Sequence, residues 1–389
     1  LEMAVKAYEP VGHDGPRVTI AAAVHIGKGE YYAELQRLLD AHDVVLFEGV
    51  GGGGRLDPRW DADPTDQTRA DITQRRAEFL AELASEHDAG SMDELINSLD
   101  ASTLPLVEPM LVDGWRRPFI VSAVDAGDLD NGNVNAGEVA YIASLGADGT
   151  LGGEGVDADI FASPNYLPRA RRSGLEMSGV QQKLAESLDL NFQLTEMDST
   201  GSNWRNSDIT PATMRSTMRD RDAEGDFETF FDIMSGEGIS GRLAGGAVRL
   251  IGFSSTLREV FKAMLVETLP RSEELLSKNN PIMGNLMEVI LDQRNDIVMR
   301  DLEEVITNEP EVRTLALIYG AGHLADIERR LMADLGYRHV STVWVNAMDS
   351  DLSTLGLGPA EAKVIRNGMR ASIELQIEQL GRMERLRGD

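Results

Sequence analysis

"RVTIAAAVHIGKGEYYAELQRLLDAHDVVLFEGV", residues 17–50, decides the fold. Arg17 to Val24 is a short apolar run rich in β-branched and small residues, and Asp43 to Phe47 is a second. Between them, Glu30 to Leu39 sets Leu35, Leu38 and Leu39 at helical spacing. Strand, short helix, strand is the signature of a parallel βαβ unit. The far end of the chain repeats it: a strand over 312–319, a helix over 324–335 and a strand over 339–345.

The sequence therefore reads as α/β (α+β): two βαβ-like halves with a central, largely parallel sheet flanked by helices, plus an acidic insertion. The first half spans 1–97 and the second 179–350. Residues 98–178, rich in Pro, Gly, Asp and Asn and weak in helical period, read as an insertion or lid. Residues 351–389 form a C-terminal extension with a charged helix over 359–385, expected to pack on the domain or mediate association. A glycine loop at 49–54 and a long helix over 66–86 follow the first βαβ unit. Further helices are expected over 180–188, 255–278 and 283–307, with a strand over 191–194. Thr210 and Pro211 supply an N-cap and a first helical residue for another helix over 211–222.

With 389 residues and 42% apolar content the chain can build a sizeable core. Its net charge of −28 argues against nucleic acid, which needs a basic footprint, and against an anionic membrane surface. No run approaches the roughly 18 apolar residues of a transmembrane helix. The absence of cysteine excludes disulfides, thiolate zinc sites and cysteine nucleophiles. The chain opens Leu1-Glu2-Met3 rather than on methionine, as after removal of a signal peptide or trimming of the start, which favours an extracytoplasmic location over a cytoplasmic one. Nothing in the sequence sets the oligomeric state.

Two of the six histidines occupy matching places. His25 follows the strand in "AAAVHIG", and His323 follows the strand in "IYGAGHL". The C-terminal edge of a parallel sheet is where ligands bind. Gly320 and Gly322 permit tight turning and close backbone approach. The helix N-terminus after each histidine favours neutral imidazole, which ligates metal or acts as a base. Glu48 ends "DVVLFEG" and should reach the same edge, where a carboxylate must be paired, metal-bound or solvated. Arg294 falls on the apolar stripe of Met287, Leu291, Val298 and Leu302, where a guanidinium needs a carboxylate or an anionic substrate group. Asp208, Tyr319 and Asn295 are secondary candidates. His13, His42, His87 and His339 read as structural. There is no P-loop after "GGGG", no Gly-x-Ser-x-Gly and no His-Glu-x-x-His.

Gly127 to Val139 places Asp128, Asp130, Asn131, Asn135 and Glu138 at nearly the spacing of a calcium loop, with Gly132 at the turn. It resembles the dockerin-type variant of the EF-hand loop, one residue short. A second acidic stretch, 148–159, could complete a degenerate calcium module; a solvated acidic loop is the other reading.

Four blocks, "HIGKGEYYAELQRLLDAHDVVLFEGV", "NFQLTEMDSTGSNWRNSDIT", "QRNDIVM" and "YGAGHLADIERRL", resemble the TraB/PrgY/GumN family, which is similar to the Tiki metalloproteases. The resemblance covers about half the chain. The family pattern has two Gly-x-x-His motifs, a glutamate and a helical arginine; these match Gly320 to His323, Glu48 and Arg294. The first motif reads Ala22-Ala23-Val24-His25, so close packing survives there but glycine's freedom at positive φ would not. The resemblance implies a metal-dependent hydrolase acting on a peptide or protein. In that reading His25, Glu48 and His323 bind Mn²⁺, Co²⁺ or Zn²⁺, Glu48 serves as ligand or general base, and Arg294 orients Glu48 or stabilises an oxyanion. Two alternatives stay open. One is a peptide-binding or sequestering protein using the same cleft, as the family's pheromone-shutdown members suggest. The other is a metal-independent His/Glu esterase or hydrolase.

Overall fold

The computed structural model describes residues 1–49, 66–125, 138–163, 180–209, 255–269 and 289–387. The strands are β1 (Glu2–Pro10), β2 (Arg17–Ala23), β3 (Ile26–Gly27), β4 (Val44–Phe47), β5 (Ile120–Asp125), β6 (Glu138–Ser144), β7 (Ile160–Ala162), β8 (Asn191–Phe192), β9 (Trp204–Asn206), β10 (Thr314–Gly320) and β11 (Tyr337–Asn346). Among the described residues the helices of seven residues or more are α1 (Gly29–Asp40), α2 (Asp66–Glu86), α3 (Met92–Ser98), α4 (Val180–Leu188), α5 (Ser255–Thr268), α6 (Arg294–Asn308), α7 (Leu324–Ala333) and α8 (Pro359–Arg387).

The main sheet has six strands in the order β11-β1-β2-β10-β4-β9. β2, β10, β4 and β9 pair in parallel, and β1 lies antiparallel between β2 and β11. β1 is thus the one reversed strand. β10 enters between β2 and β4, so the N-terminal βαβ unit is completed by a strand from the far end of the chain.

Alternation sorts the side chains onto two covered faces. Val18, Ile20, Val44, Leu46, Leu315, Leu317 and Tyr319 pack with Val298 and Leu302 of α6 and with Ile327 and Leu331 of α7. Ala21, Val45, Ala316 and Ile318 face the other way, onto Tyr31, Tyr32, Leu35 and Leu39 of α1. The Leu35/Leu39 stripe seen in the sequence is therefore a core face. Both layers converge on the parallel strands, which makes their C-terminal ends the rigid rim for the site.

A second core forms where α2 packs on the antiparallel sheet β5-β6-β7. Phe79, Leu80 and Leu83 of α2 meet Phe119, Ile142 and Ala162 there. Gly114 lies so close to α2 that an added Cβ would fall 2.3 Å from the carbonyl oxygen of Arg69. The stretch from 98 onward thus contains a sheet seated on α2. In the second acidic loop Asp148 accepts from the N–H and hydroxyl of Thr150, and Asp159 accepts from Gly152 N. Those carboxylates stabilise turns. Among the described residues no helix is long and apolar enough to cross a membrane.

Two local expectations are corrected. The strand expected over 191–194 is two residues long and gives way to a helical turn, Gln193–Glu196. The Gln193 N–H bonds His25 O at 2.9 Å, and Thr195 Oγ1 donates back to Phe192 O, so the ladder ends there. Of the helix expected over 283–307, residues 283–288 lie outside the described residues and the rest runs as a π-helical turn, Val289–Gln293, followed by α6. The helix expected over 211–222 and the later part of 255–278 lie outside the described residues.

Candidate functional site

The four parallel strands each deliver a polar residue to one edge. His25 lies two residues past β2, Glu48 one past β4, Asp208 two past β9 and His323 three past β10. Arg294 and Asn295 reach the same place from the first turn of α6, where both are buried. The π-helical turn before α6 resets the helical phase just ahead of them; such turns recur at functional sites.

Glu48 is held at both oxygens. Arg294 Nη2 donates to Oε1 at 2.6 Å, and the Gly320 N–H donates to Oε2 at 2.5 Å. Burial opposes its ionisation, yet Arg294, His323, His25 and the Gly320 N–H together bring its carboxyl down to about 2. At neutral pH the guanidinium is the chief charge among these, because His323 is then uncharged. Gly49 next to it lies tight against its neighbours: an added Cβ would meet Asn206 Nδ2 and Phe47 Cε2 at 2.9 Å.

Arg294 also grips Asp208, through Nε to Oδ1 at 2.8 Å and Nη2 to Oδ2 at 2.7 Å. This bidentate contact uses the fork geometry that favours arginine over lysine. Burial works against the guanidinium charge, but Glu48 and Asp208 raise its pKa above the ordinary value. Two carboxylates against one guanidinium leave one formal negative charge in the cluster. Beside it, Tyr319 donates from its hydroxyl to Ser207 O, and Ser207 Oγ donates to Asp301 Oδ2 at 2.8 Å. Tyr319 thereby ties the end of β10 to the segment that carries Asp208.

His323 sits in the turn Ala321–His323 and is buried. Its ring stands edge-on to Tyr319, with centroids 5.3 Å apart. Nδ1 lies 2.7 Å from Asn295 Oδ1, and Nε2 lies 3.9 Å from Glu48 Oε1. Burial is the main reason its pKa falls to about 4; Arg294 and His25 push the same way, against Glu48 and Asp326. The imidazole is therefore neutral at physiological pH.

His25 is exposed at the rim. It acts electrostatically on both Glu48 and His323. Its segment is pinned by the β3–β8 ladder, Ile26 to Phe192. Ala22, where the motif calls for glycine, lies inside β2 opposite Tyr319, and Tyr31 Oη donates to its carbonyl at 2.9 Å. It is not among the residues with positive φ. Alanine therefore suits the torsion this strand gives it, since any residue adopts extended backbone. Gly320 is likewise not left-handed, with φ −52°. It is needed for closeness: an added Cβ would sit 3.2 Å from Glu48 Oε2.

The structure thus brings together Glu48, Asp208, Arg294, Asn295, Tyr319 and His323, with His25 at the exposed edge. Asp128, Asp130, Asn131 and Asn135 lie outside the described residues, as does the side chain of Glu138. His42 is a satisfied core residue, bonded to Leu38 O and Thr19 Oγ1. Sequence reasoning missed Asp326, which bonds Asn295 Nδ2 at 3.1 Å. Its signal was its place three residues after His323, on the same helical face.

Among the described residues no group of three or more His, Asp or Glu side chains is arranged to hold a metal ion as it stands. The donor chemistry still suits a cation in part: an imidazole nitrogen faces a carboxylate within a cluster of net negative formal charge. No family model, curated protein or solved structure matches the chain.

Proposed function

We propose that the protein is a metal-dependent hydrolase acting on a peptide or protein, with His323, Glu48 and His25 as the ligand set. One observation carries this reading: Nε2 of a neutral, buried imidazole stands 3.9 Å from an ionised carboxylate at the C-terminal edge of a parallel sheet. A divalent ion held there would lower the pKa of a bound water and polarise a scissile carbonyl. Imidazole and carboxylate donors suit Mn²⁺, Co²⁺ or Zn²⁺.

The chain's own residues set the conditions. Arg294 keeps Glu48 anionic, and the Gly320 N–H fixes its rotamer. Asp208 holds the guanidinium against Glu48, making Arg294 a brace for the carboxylate. In this reading His25, exposed at the rim, would have to move in to complete the ligand set from the solvent side. A peptide library assayed with and without chelator tests the reading. Cleavage that stops with chelator and returns with Mn²⁺, Co²⁺ or Zn²⁺ is expected; a peptide bound and recovered uncut under all three would point to a sequestering protein instead.

A second reading rests on the same pair of groups, a neutral, buried imidazole beside an ionised carboxylate. In it, His323 Nε2 takes a proton from water directly, with Glu48 steadying the imidazolium, and no cation takes part. Hydrolysis insensitive to chelator would select it.

A further inference from the structure

Asn295 lies between His323 and Asp326, and its two contacts are of opposite sense. Asp326 Oδ2 stands 3.1 Å from Asn295 Nδ2, and an ionised carboxylate can only accept. Burial works against that charge, but Arg329, Asn295 and Arg330 hold the Asp326 carboxyl below its ordinary range. The amide's orientation follows: its nitrogen faces Asp326 and its carbonyl faces His323. Across the 2.7 Å contact Oδ1 has no proton to give, so Nδ1 of the imidazole must supply it. The other ring nitrogen, Nε2, is then bare, and it is the one turned towards Glu48.

We propose that Asp326 and Asn295 act as a positioning relay that locks His323 in its Nδ1–H tautomer, leaving Nε2 as the nitrogen that binds a cation or takes a proton. The opposite tautomer is disfavoured at both ends. Nε2–H would face Glu48 Oε1 at 3.9 Å, too far for a hydrogen bond. Nδ1 would then oppose Asn295 Oδ1, lone pair to lone pair. Turning the amide over would relieve that clash only by setting Oδ1 against the Asp326 carboxylate. Either way one hydrogen bond is forfeited, at His323 if the amide stays or a charge-assisted one at Asp326 if it turns, so the tautomer ratio should favour Nδ1–H by roughly tenfold or more. The Tyr319 ring, edge-on to the imidazole, limits its rotation. An imidazole whose Nδ1–H is spent on a fixed acceptor while Nε2 faces the reaction site is the arrangement that orients metal ligands and bases alike.

The importance of the relay for turnover rests on the hydrolase reading, but the tautomer is measured without substrate or metal, so the two can fail separately. The experiment records long-range ¹H–¹⁵N correlations of the histidine rings in the full-length, ¹⁵N-labelled, chelator-treated chain at mildly alkaline pH. His323→Gln assigns the signals. The wild type should show a protonated Nδ1 and a bare Nε2. The double exchange Asn295→Asp with Asp326→Asn keeps an acceptor against Nδ1 without setting two carboxylates together and should keep that pattern. Asn295→Leu removes the acceptor and should lower the tautomer ratio at least tenfold; if it does not fold, Asp326→Ala, which frees the amide to turn, should lower it instead. A wild-type spectrum with the proton on Nε2 overturns the proposal, and so does a folded Asn295→Leu chain with an unchanged ratio. Zn²⁺ added afterwards should move the Nε2 signal; an unmoved Nε2 would sink the metal reading alone.

Discussion

Glu48 and Asp208, carried past the ends of neighbouring strands β4 and β9, hold one guanidinium between them. Arg294 Nη2 is 2.6 Å from Glu48 Oε1 and 2.7 Å from Asp208 Oδ2. The side chains of Arg294, Glu48 and Asp208 are 7%, 12% and 0% exposed, so solvent does little to screen the triad. It ties the first half of the chain to α6 and keeps Glu48 ionised at the sheet edge.

Removing the cation leaves two carboxylates facing each other out of water. Arg294→Met is expected to cost about 3–5 kcal/mol of unfolding free energy. Arg294→Lys should cost less, because it keeps the charge and loses the fork. Urea denaturation of the purified variants measures both. A methionine variant as stable as the wild type would mean that the triad does not hold this edge together.

Gly320 and Ala22 should respond in opposite ways to exchanging glycine and alanine. Gly320→Ala brings a methyl within 3.2 Å of Glu48 Oε2 and displaces the carboxylate from the backbone N–H that fixes it. Hydrolysis is expected to drop at least tenfold, with a smaller loss of stability. Ala22→Gly restores the motif glycine inside an extended strand, where it adds only flexibility; it should cost roughly 0.5–1 kcal/mol and gain no activity. Rates and thermal melts of the pair decide this, and a faster Ala22→Gly enzyme would contradict it.

Stability should fall on the acid side well before the carboxylates titrate. His42 and His323 are both lowered to about 4 by burial from an ordinary value of 6.5. Between those values the unfolded chain binds protons that the native state refuses, so stability rises with pH across that window. The slope is about 1.4 kcal/mol per pH unit for each histidine where the difference is complete. Glu48, lowered from 4.5 to about 2, adds to the loss below its unfolded value. Denaturation midpoints across this range check the sign; a flat profile from neutrality down to the carboxylate range would refute it.

The same depression bears on the proposed hydrolysis. A reaction that needs bare Nε2 on His323 should keep its rate below pH 6, with the acid limb of kcat/KM displaced toward the folded value of about 4. Initial rates, taken where circular dichroism shows the chain folded, test this. An acid limb at the ordinary histidine value would mean that another group controls the rate.

Much of the fold was legible because period and burial agree. The apolar run from Arg17 to Val24 announces a strand buried on both faces, and the stripe Leu35, Leu39 a helix buried on one. Arg294 could be singled out because a charge on an apolar stripe needs a partner, though not which partner. The order of the sheet could not be read: nothing local places β10 between β2 and β4, or reverses β1. The sheet β5-β6-β7 escaped because part of its apolar surface, as at Ile120 and Phe161, is exposed. The torsion at Ala22 could not be read from its identity, because it depends on the strand around it. Asp326 looked like an ordinary helix-surface charge until Asn295 appeared beside it.

The central claim is that Glu48 and His323 together bind a catalytic cation. Titration of chelator-treated protein with Mn²⁺, Co²⁺ and Zn²⁺, read by calorimetry alongside peptide cleavage, tests it most directly. The wild type should bind one of these ions stoichiometrically and regain activity in step. His323→Ala and Glu48→Ala should lose both together while remaining folded. Stoichiometric binding and full cleavage in both variants, or cleavage by wild type with no ion bound, would contradict the account.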